Sequence, residues 1–433
     1  MRNILRLKII IAIFILTASR LLGQISETRI DSLTLDQAVS LALQHNPSLR
    51  AADAGVLSAS SGLTQADAAY FPSIAATASA SRTGGAFVLN PSVSSRNQTY
   101  NTYTTGFQVN QTIFDFGKTI GRVSGAGSFL DAAESDLISA RENVVMNTSL
   151  AYFGYVQAIQ VEKVNEEAAQ RASQHLNEAK AFYTVGKRAQ FDVTRAEVDL
   201  ANANVNLIRS RNQIRLAKLQ LENAMGIHPS SDYRVTEAFP IPEFSLPLDS
   251  VKLLTFGQRP ELIAATARLE ANKSLVSAAW DQHLPTLSAS GAWTWSNFDF
   301  PLFSRWNVGL TMSLPIFQGF SISAQVEQAR AAADAAQANL DVLRESVILE
   351  VEQNYLGLKE AEERIAASTK LVEQAEQNLN LAERQYAAGV GTALEVADAQ
   401  LTLSNARITR IQALYDYNSS LRKLERSMGI LTG

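Results

Sequence analysis

Four stretches of this chain alternate between apolar and polar positions, and the long segments between them repeat every three to four residues instead. In the first, Ile74, Ala76, Ala78 and Ala80 oppose Ser73, Thr77, Ser79 and Ser81. In the second, Phe107, Val109 and Ile113 oppose Gln108, Asn110 and Thr112. Leu287, Ala289, Trp293 and Trp295 then oppose Thr286, Ser288, Ser290 and Thr294. Last, Trp306, Val308, Leu310, Met312 and Leu314 oppose Asn307, Thr311 and Ser313. A period of two predicts strands over about 71–81, 104–115, 285–295 and 306–318. Each is about ten residues long, the length that a tilted membrane strand needs.

The remaining pattern is helical. No proline intervenes from Lys118 to Phe182, and Ser321 to Gln385 repeats this. At about 1.5 Å per residue, such a helix would extend close to 100 Å. A seam through Val351, Tyr355, Leu358, Ile365, Val372, Ala375, Leu379, Ala382 and Tyr386 has coiled-coil spacing, and Ala169, Ala172, Leu176, Ala179 and Tyr183 form its duplicate. Glycine turns at Gly186 and at Gly389 to Gly391 end the long helices, and a second helix then returns to the sequence MGI. The expected helices are about 118–185, 190–226, 321–388 and 392–429.

These elements are duplicated. Pro47 and Pro260 are 213 apart, as are Pro72 and Pro285, whereas Phe114 and Phe317, Tyr183 and Tyr386, and LENAMGI and LERSMGI are all 203 apart. The offset falls by ten because residues 83–102 are longer than their counterpart 296–305. The order helix, strand, strand, helix therefore occurs twice, over 24–228 and 260–433, with a connector and equatorial segment at 229–259 that is rich in proline.

Arg2, Arg6 and Lys8 precede an apolar run at 9–18, followed by the small residues Ser19 and Gly23. This predicts a secretory signal over 1–23. Over the whole chain 38 basic residues face 42 acidic ones, which leaves no basic field for nucleic acid. Cysteine is absent, which excludes disulfides, thiolate metal sites and a lipid-anchoring cysteine. The histidines His45, His175, His228 and His283 are scattered, and no HExxH occurs. No enzyme activity, cofactor or metal site is expected. The GKT at Gly117 to Thr119 is better explained as the exit from a strand into a helix than as a phosphate loop, whose first glycine would fall at Thr112.

Four strands alone suit a soluble sandwich, but all four tryptophans lie in or beside the second hairpin, and Phe114, Phe116, Phe317 and Phe320 mark the opposite strand ends. Trp293, Trp295, Trp306, Phe114 and Phe317 are thus candidate interface aromatics against outer-membrane lipid. Four strands cannot close a barrel, and open edges in hydrocarbon are costly, so a homotrimer with twelve strands is expected.

Taken together, the duplicated order, the strand-entry prolines Pro72 and Pro285, the IFD and PIFQG exits, YTVG and YAAGVG at the turns, and MGI closing each half resemble the TolC family of outer-membrane efflux proteins. The resemblance implies a mainly α fold with a membrane β-barrel, in which a trimer forms a 12-stranded barrel and a long α-helical periplasmic tunnel. It implies location in the outer membrane of a Gram-negative bacterium, with the tunnel in the periplasm. The expected function is a passive duct for tripartite efflux or type I secretion, partnered by a periplasmic adaptor and an inner-membrane RND or ABC transporter. A periplasmic or surface coiled-coil scaffold with a soluble sheet is the alternative.

The resemblance also assigns a periplasmic gate to Glu395, Asp398, Asp192, Tyr386 and Tyr183, and adaptor docking to Val185, Gly186, Gly389, Val390 and Gly391. Glu395 and Asp398 share one helix face by spacing, which could equally be a solvated surface. The family's basic tip residue, which bonds the acid matched by Asp192, is replaced here by Gly391. Lys187 and Arg188 are nearby basic residues that the sequence does not place.

Overall fold

The computed structural model describes residues 32–87, 96–227, 233–236 and 238–431. The expected signal segment 1–23, the crown of the first hairpin at 88–95, and His228 with Pro229 lie outside the described residues. The elements run α1 (Leu35–His45), α2 (Pro47–Asp67), β1 (Ser73–Phe87), β2 (Arg96–Phe114), α3 (Lys118–Thr184) and α4 (Gln190–Met225). The second half repeats the order as α5 (Leu248–Gln258), α6 (Pro260–Trp280), β3 (Thr286–Asn297), β4 (Phe303–Ser313), α7 (Ser321–Ala387) and α8 (Ala393–Met428). Both long helices, α3 and α7, have 67 residues, and both returning helices have 36.

Strand pairing runs beyond the alternating stretches toward the hairpin turns, whereas the fourth strand, expected to reach 318, ends at Ser313 before Pro315. The first ladder continues to Phe87 opposite Arg96, and the second starts at Phe303 opposite Ser296. Backbone N–H and C=O groups pair whatever the side chains are, so alternation marks the two-faced part of a strand and not its end.

The helix ends carry the repeat in atomic detail. Gly186 N–H donates to the Tyr183 carbonyl and Lys187 N–H to that of Phe182; 203 residues on, Gly389 donates to Tyr386 and Val390 to Gln385. These paired bonds form a Schellman motif. It needs a left-handed residue, which glycine adopts without a Cβ clash, and φ is 71° at Gly186 and 81° at Gly389. The two MGI sequences end α4 and α8 with the same bond pair. At the other end of α3, Asp115 caps the helix by accepting from the Thr119 N–H at 2.9 Å, so GKT is a capped helix start.

The chain forms two compact units that cut across the repeats. One contains α1, α4, Thr148 onward of α3, and Leu371–Tyr415 of α7 and α8. Its core gathers Leu33, Ala38, Tyr152, Phe153, Val156, Leu221 and Met225. Tyr152 steadies a short parallel bridge between Ser32–Leu33 and Arg234–Val235, donating to the carbonyls of Leu33 and Thr236. Further along, Ala375, Leu379, Ala382 and Tyr386 of α7 pack on Ala393, Val396, Ala399 and Leu403 of α8. Alanine at half of these seam positions allows close helix approach.

The other unit holds α2, α5, α6, the four strands, the first part of α3, α7 up to Lys370, and the end of α8 from Asp416. Its core is Val251, Leu262, Leu269, Leu340, Val347, Leu358, Tyr417 and Leu424. Tyr417 donates its hydroxyl to the Pro242 carbonyl, pinning the proline-rich connector to this core. No described helix is long and apolar enough to cross a membrane.

Candidate functional site

The strands form one antiparallel sheet in the order β1-β2-β3-β4. Register places Ala76, Phe107, Trp293 and Trp306 in one row, and Ile74, Val109, Gly291 and Val308 in another. The alternate rows are Thr77, Gly106, Thr294 and Arg305, then Ala75, Gln108, Ala292 and Asn307. Because successive side chains point to opposite faces, one face is apolar across all four strands and the other largely polar. Among the described residues nothing covers the apolar face: Val308 is 77% exposed and Trp306 72%. Among the described residues the outer edges of β1 and β4 also have no partner strand.

Aromatic residues cluster at both strand ends. Trp293 stacks on Trp295 at 6.1 Å, and Trp306 lies opposite Trp293 in the ladder. At the other end Phe114 meets Phe116 edge-on at 4.7 Å, and Phe317 meets Phe320 at 5.5 Å. Phe116 and Phe320 both have left-handed φ, of 58° and 65°. That conformation is strained for a bulky residue, and both copies of the repeat carry it.

At the helix turns, Val185 and Val390 are exposed beside Gly186 and Gly389, and Tyr183 is also exposed. Tyr386 is different, being only 2% exposed among His175, Phe182 and the seam alanines. Its hydroxyl is buried without a hydrogen-bond partner. Burial pushes the Tyr386 hydroxyl above the usual tyrosine range, with the Arg188 charge opposing and the Asp192 charge adding to the shift. Burial likewise lowers His175, against the carboxylates of Glu178, Asp199, Asp192 and Glu383.

Arg188 joins the two turns. Its Nη2 donates to the Gly391 carbonyl at 2.8 Å, and its guanidinium carbon lies 4.8 Å from the centre of the Tyr386 ring. Gly391 is buried, and a Cβ there would come within 3.0 Å of the Tyr386 backbone nitrogen. The position therefore resists any side chain, including the basic one that the family pattern places there.

Glu395 is committed locally. Its Oε2 accepts from the Thr392 N–H at 2.8 Å, and its own N–H donates to Thr392 Oγ1 at 3.2 Å, a capping box that starts α8. Asp398 is exposed one turn later and Asp192 is half-buried in the first turn of α4. Within one chain the structure brings Arg188, Tyr386 and Gly391 together, while Glu395 and Asp398 face solvent. Among the described residues no group of three or more potential ligands is placed to hold a metal ion.

Comparison with known proteins aligns residues 38–227 and 254–430 with the family described as outer membrane efflux protein. The chain belongs to this family. It is 26% identical to the outer membrane protein TolC of Escherichia coli over 352 residues, covering 76% of this chain and 70% of that protein. It is 24% identical to the outer membrane efflux protein BepC of Brucella suis over 429 residues, covering 98% of this chain and 91% of that protein. Its fold is that of the Campylobacter jejuni CmeC outer membrane channel, with a TM-score of 0.83 at 21% identity over 91% of this chain and 85% of that one. Family membership makes it an outer-membrane protein that serves as a channel for efflux or secretion.

Proposed function

We propose that three copies of the chain close one twelve-stranded barrel and one helical tunnel, which conducts substrates passively from a periplasmic adaptor and an inner-membrane RND or ABC transporter to the exterior. The observation that carries this reading is the sheet: an uncovered apolar face, a polar opposite face and two open edges. In hydrocarbon each unpaired backbone group costs several kcal/mol, so each edge must meet the edge of another copy. Eight strands would give a barrel filled by its own side chains, whereas twelve leave a bore between small polar residues. Native mass measurement in detergent should give the trimer, and a folded monomer or dimer would refute the assembly.

In this reading Trp293, Trp295 and Trp306 mark one lipid interface, and Phe114 and Phe317 the other. Val185, Gly186, Gly389, Val390 and Gly391 receive the adaptor. Glu395 and Asp398 from three copies ring the narrow end of the tunnel and favour cations. Asp192, Tyr183 and Tyr386 complete the gate, and Arg188 supplies the basic contact that Gly391 lacks. Photo-cross-linking from residues beside Gly389 in intact cells should capture an adaptor. Failure to capture one from any tip position would remove the tripartite part of the reading while leaving the channel itself.

A further inference from the structure

The unit that holds the sheet also contains a cluster of charges that channel function does not use. Arg259, at the start of α6, is 3% exposed, and its three donor groups reach Glu261 Oε2 at 3.2 Å, Glu350 Oε2 at 2.5 Å and the Ser427 carbonyl at 3.3 Å. Arg426, at the end of α8, bonds the other oxygens of the same two acids, Glu350 Oε1 at 3.0 Å and Glu261 Oε1. Two guanidiniums and two carboxylates thus close an alternating ring that ties α6, α7 and α8 together. Ser139 of α3 adds a hydrogen bond to Glu261 at 2.9 Å.

Glu142, one turn after Ser139, is the fifth member. It is buried, and its Oε2 has no hydrogen-bond partner. The Nε of Arg426 is also buried and unbonded. An ionised Glu142 would be a third carboxylate in a ring holding two cations, and the guanidinium nitrogen left without a hydrogen bond is that Nε. A neutral Glu142 leaves the ring balanced.

We propose that Glu142 is a proton-operated latch at this junction: protonated, it holds α3 against the ring, and ionised, it competes for Arg426 and loosens the joint between α3 and the ends of α6 and α8. The charged groups that act on it are Glu261 and Arg259 on the α6 side and Arg426 on α8. Burial, and then the Glu261 charge, push its carboxyl up to about 7 against the pull of Arg426 and Arg259. Burial alone would also raise Glu261, but Arg426, Arg259 and Ser139 hold it below the usual range. The sign follows from linkage: with the folded value above the unfolded 4.5, the latch is fully engaged below pH 4.5 and is lost as pH rises through about 7.

The test compares the melting temperature of the detergent-solubilised full chain with that of Glu142→Gln between pH 4 and 8.5. The variant should melt near wild type at pH 4 and clearly above it at pH 8, with the difference growing between about 4.5 and about 7 and level above that. Parallel curves overturn the proposal. Hydrogen exchange on the wild-type protein, corrected for intrinsic rates, gives a readout that needs no variant. Segments around residues 139–146 and 257–263 should lose protection as pH rises from about 4.5 to about 7, and unchanged protection there overturns the proposal as well.

Discussion

Arg188 and Tyr386 belong to turns in different repeats, yet the guanidinium of the first lies over the ring of the second, 4.8 Å from its centre. The same guanidinium bonds the Gly391 carbonyl, so a single side chain fastens the two turns. A cation over a tyrosine face contributes about 0.5–1 kcal/mol at an exposed site. A charged hydrogen bond contributes about 1.5–3 kcal/mol, and partial exposure favours the lower end of that range. Together they hold the turns in register by about 2 kcal/mol.

Removing that contact should free the tip. Arg188→Ala is expected to raise single-channel conductance or the fraction of time open in planar bilayers, since about 2 kcal/mol shifts a two-state ratio roughly 30-fold. Arg188→Lys should fall between, because an ammonium lacks the planar fork that can stack and bond at once. Wild-type conductance in Arg188→Ala would show that the contact does not control the pore.

Restoring the family's basic residue should not restore a lock. A side chain at 391 brings Cβ to 3.0 Å from the Tyr386 nitrogen and from Gln385 Cβ. Backbone there must shift, at a cost of about 1–3 kcal/mol. Gly391→Arg is therefore expected to lower the melting temperature, and to lower it further in combination with Arg188→Ala. A stabilised Gly391→Arg protein would contradict the packing described here.

The two sheet faces should respond oppositely to charge. Val308 lies on the uncovered apolar face and Asn307 beside it on the polar face, which already carries Arg305 in β4. An arginine on the lipid side of a barrel costs about 2–4 kcal/mol near the bilayer midplane. Val308→Arg should reduce the heat-modifiable assembled form in outer-membrane fractions, while Asn307→Arg should assemble normally. Equal assembly of both variants would argue against a lipid-facing sheet.

Much of this fold is legible in the sequence because two copies carry the same signals. The alternation of Trp306, Val308, Leu310 and Met312 fixes the face of β4, and Gly186 and Gly389 mark turns whose bonds repeat atom for atom. Arg188 is a different case. It and Gly391 are equivalent positions of the two repeats, 203 residues apart, but equivalence does not imply contact, and only the packing of the helix ends brings its guanidinium to 2.8 Å from the Gly391 carbonyl. Glu142, Arg259 and Arg426 are equally hidden, since isolated charges in helical stretches resemble solvated positions until burial is known. The capping box is a local signal, written openly in Thr392, Ala393, Leu394 and Glu395.

That capping box separates two roles of Glu395. Its carboxylate accepts from the Thr392 N–H, and a glutamine can do the same, so Glu395→Gln removes charge and keeps the cap. Glu395→Ala removes the charge and the bond to the Thr392 N–H, keeping only the bond from its own N–H to Thr392 Oγ1, at a cost of about 0.5–1.5 kcal/mol. If three pairs of Glu395 and Asp398 set the ion preference of the tunnel, the variant combining Glu395→Gln with Asp398→Asn should lose cation selectivity and divalent-cation block yet melt like wild type. Glu395→Ala alone should melt lower and keep part of its selectivity through Asp398. Conductance and reversal potentials in bilayers, read beside melting curves, distinguish the two. Unchanged selectivity and block in the doubly neutral variant would leave Glu395 as a helix cap and nothing more.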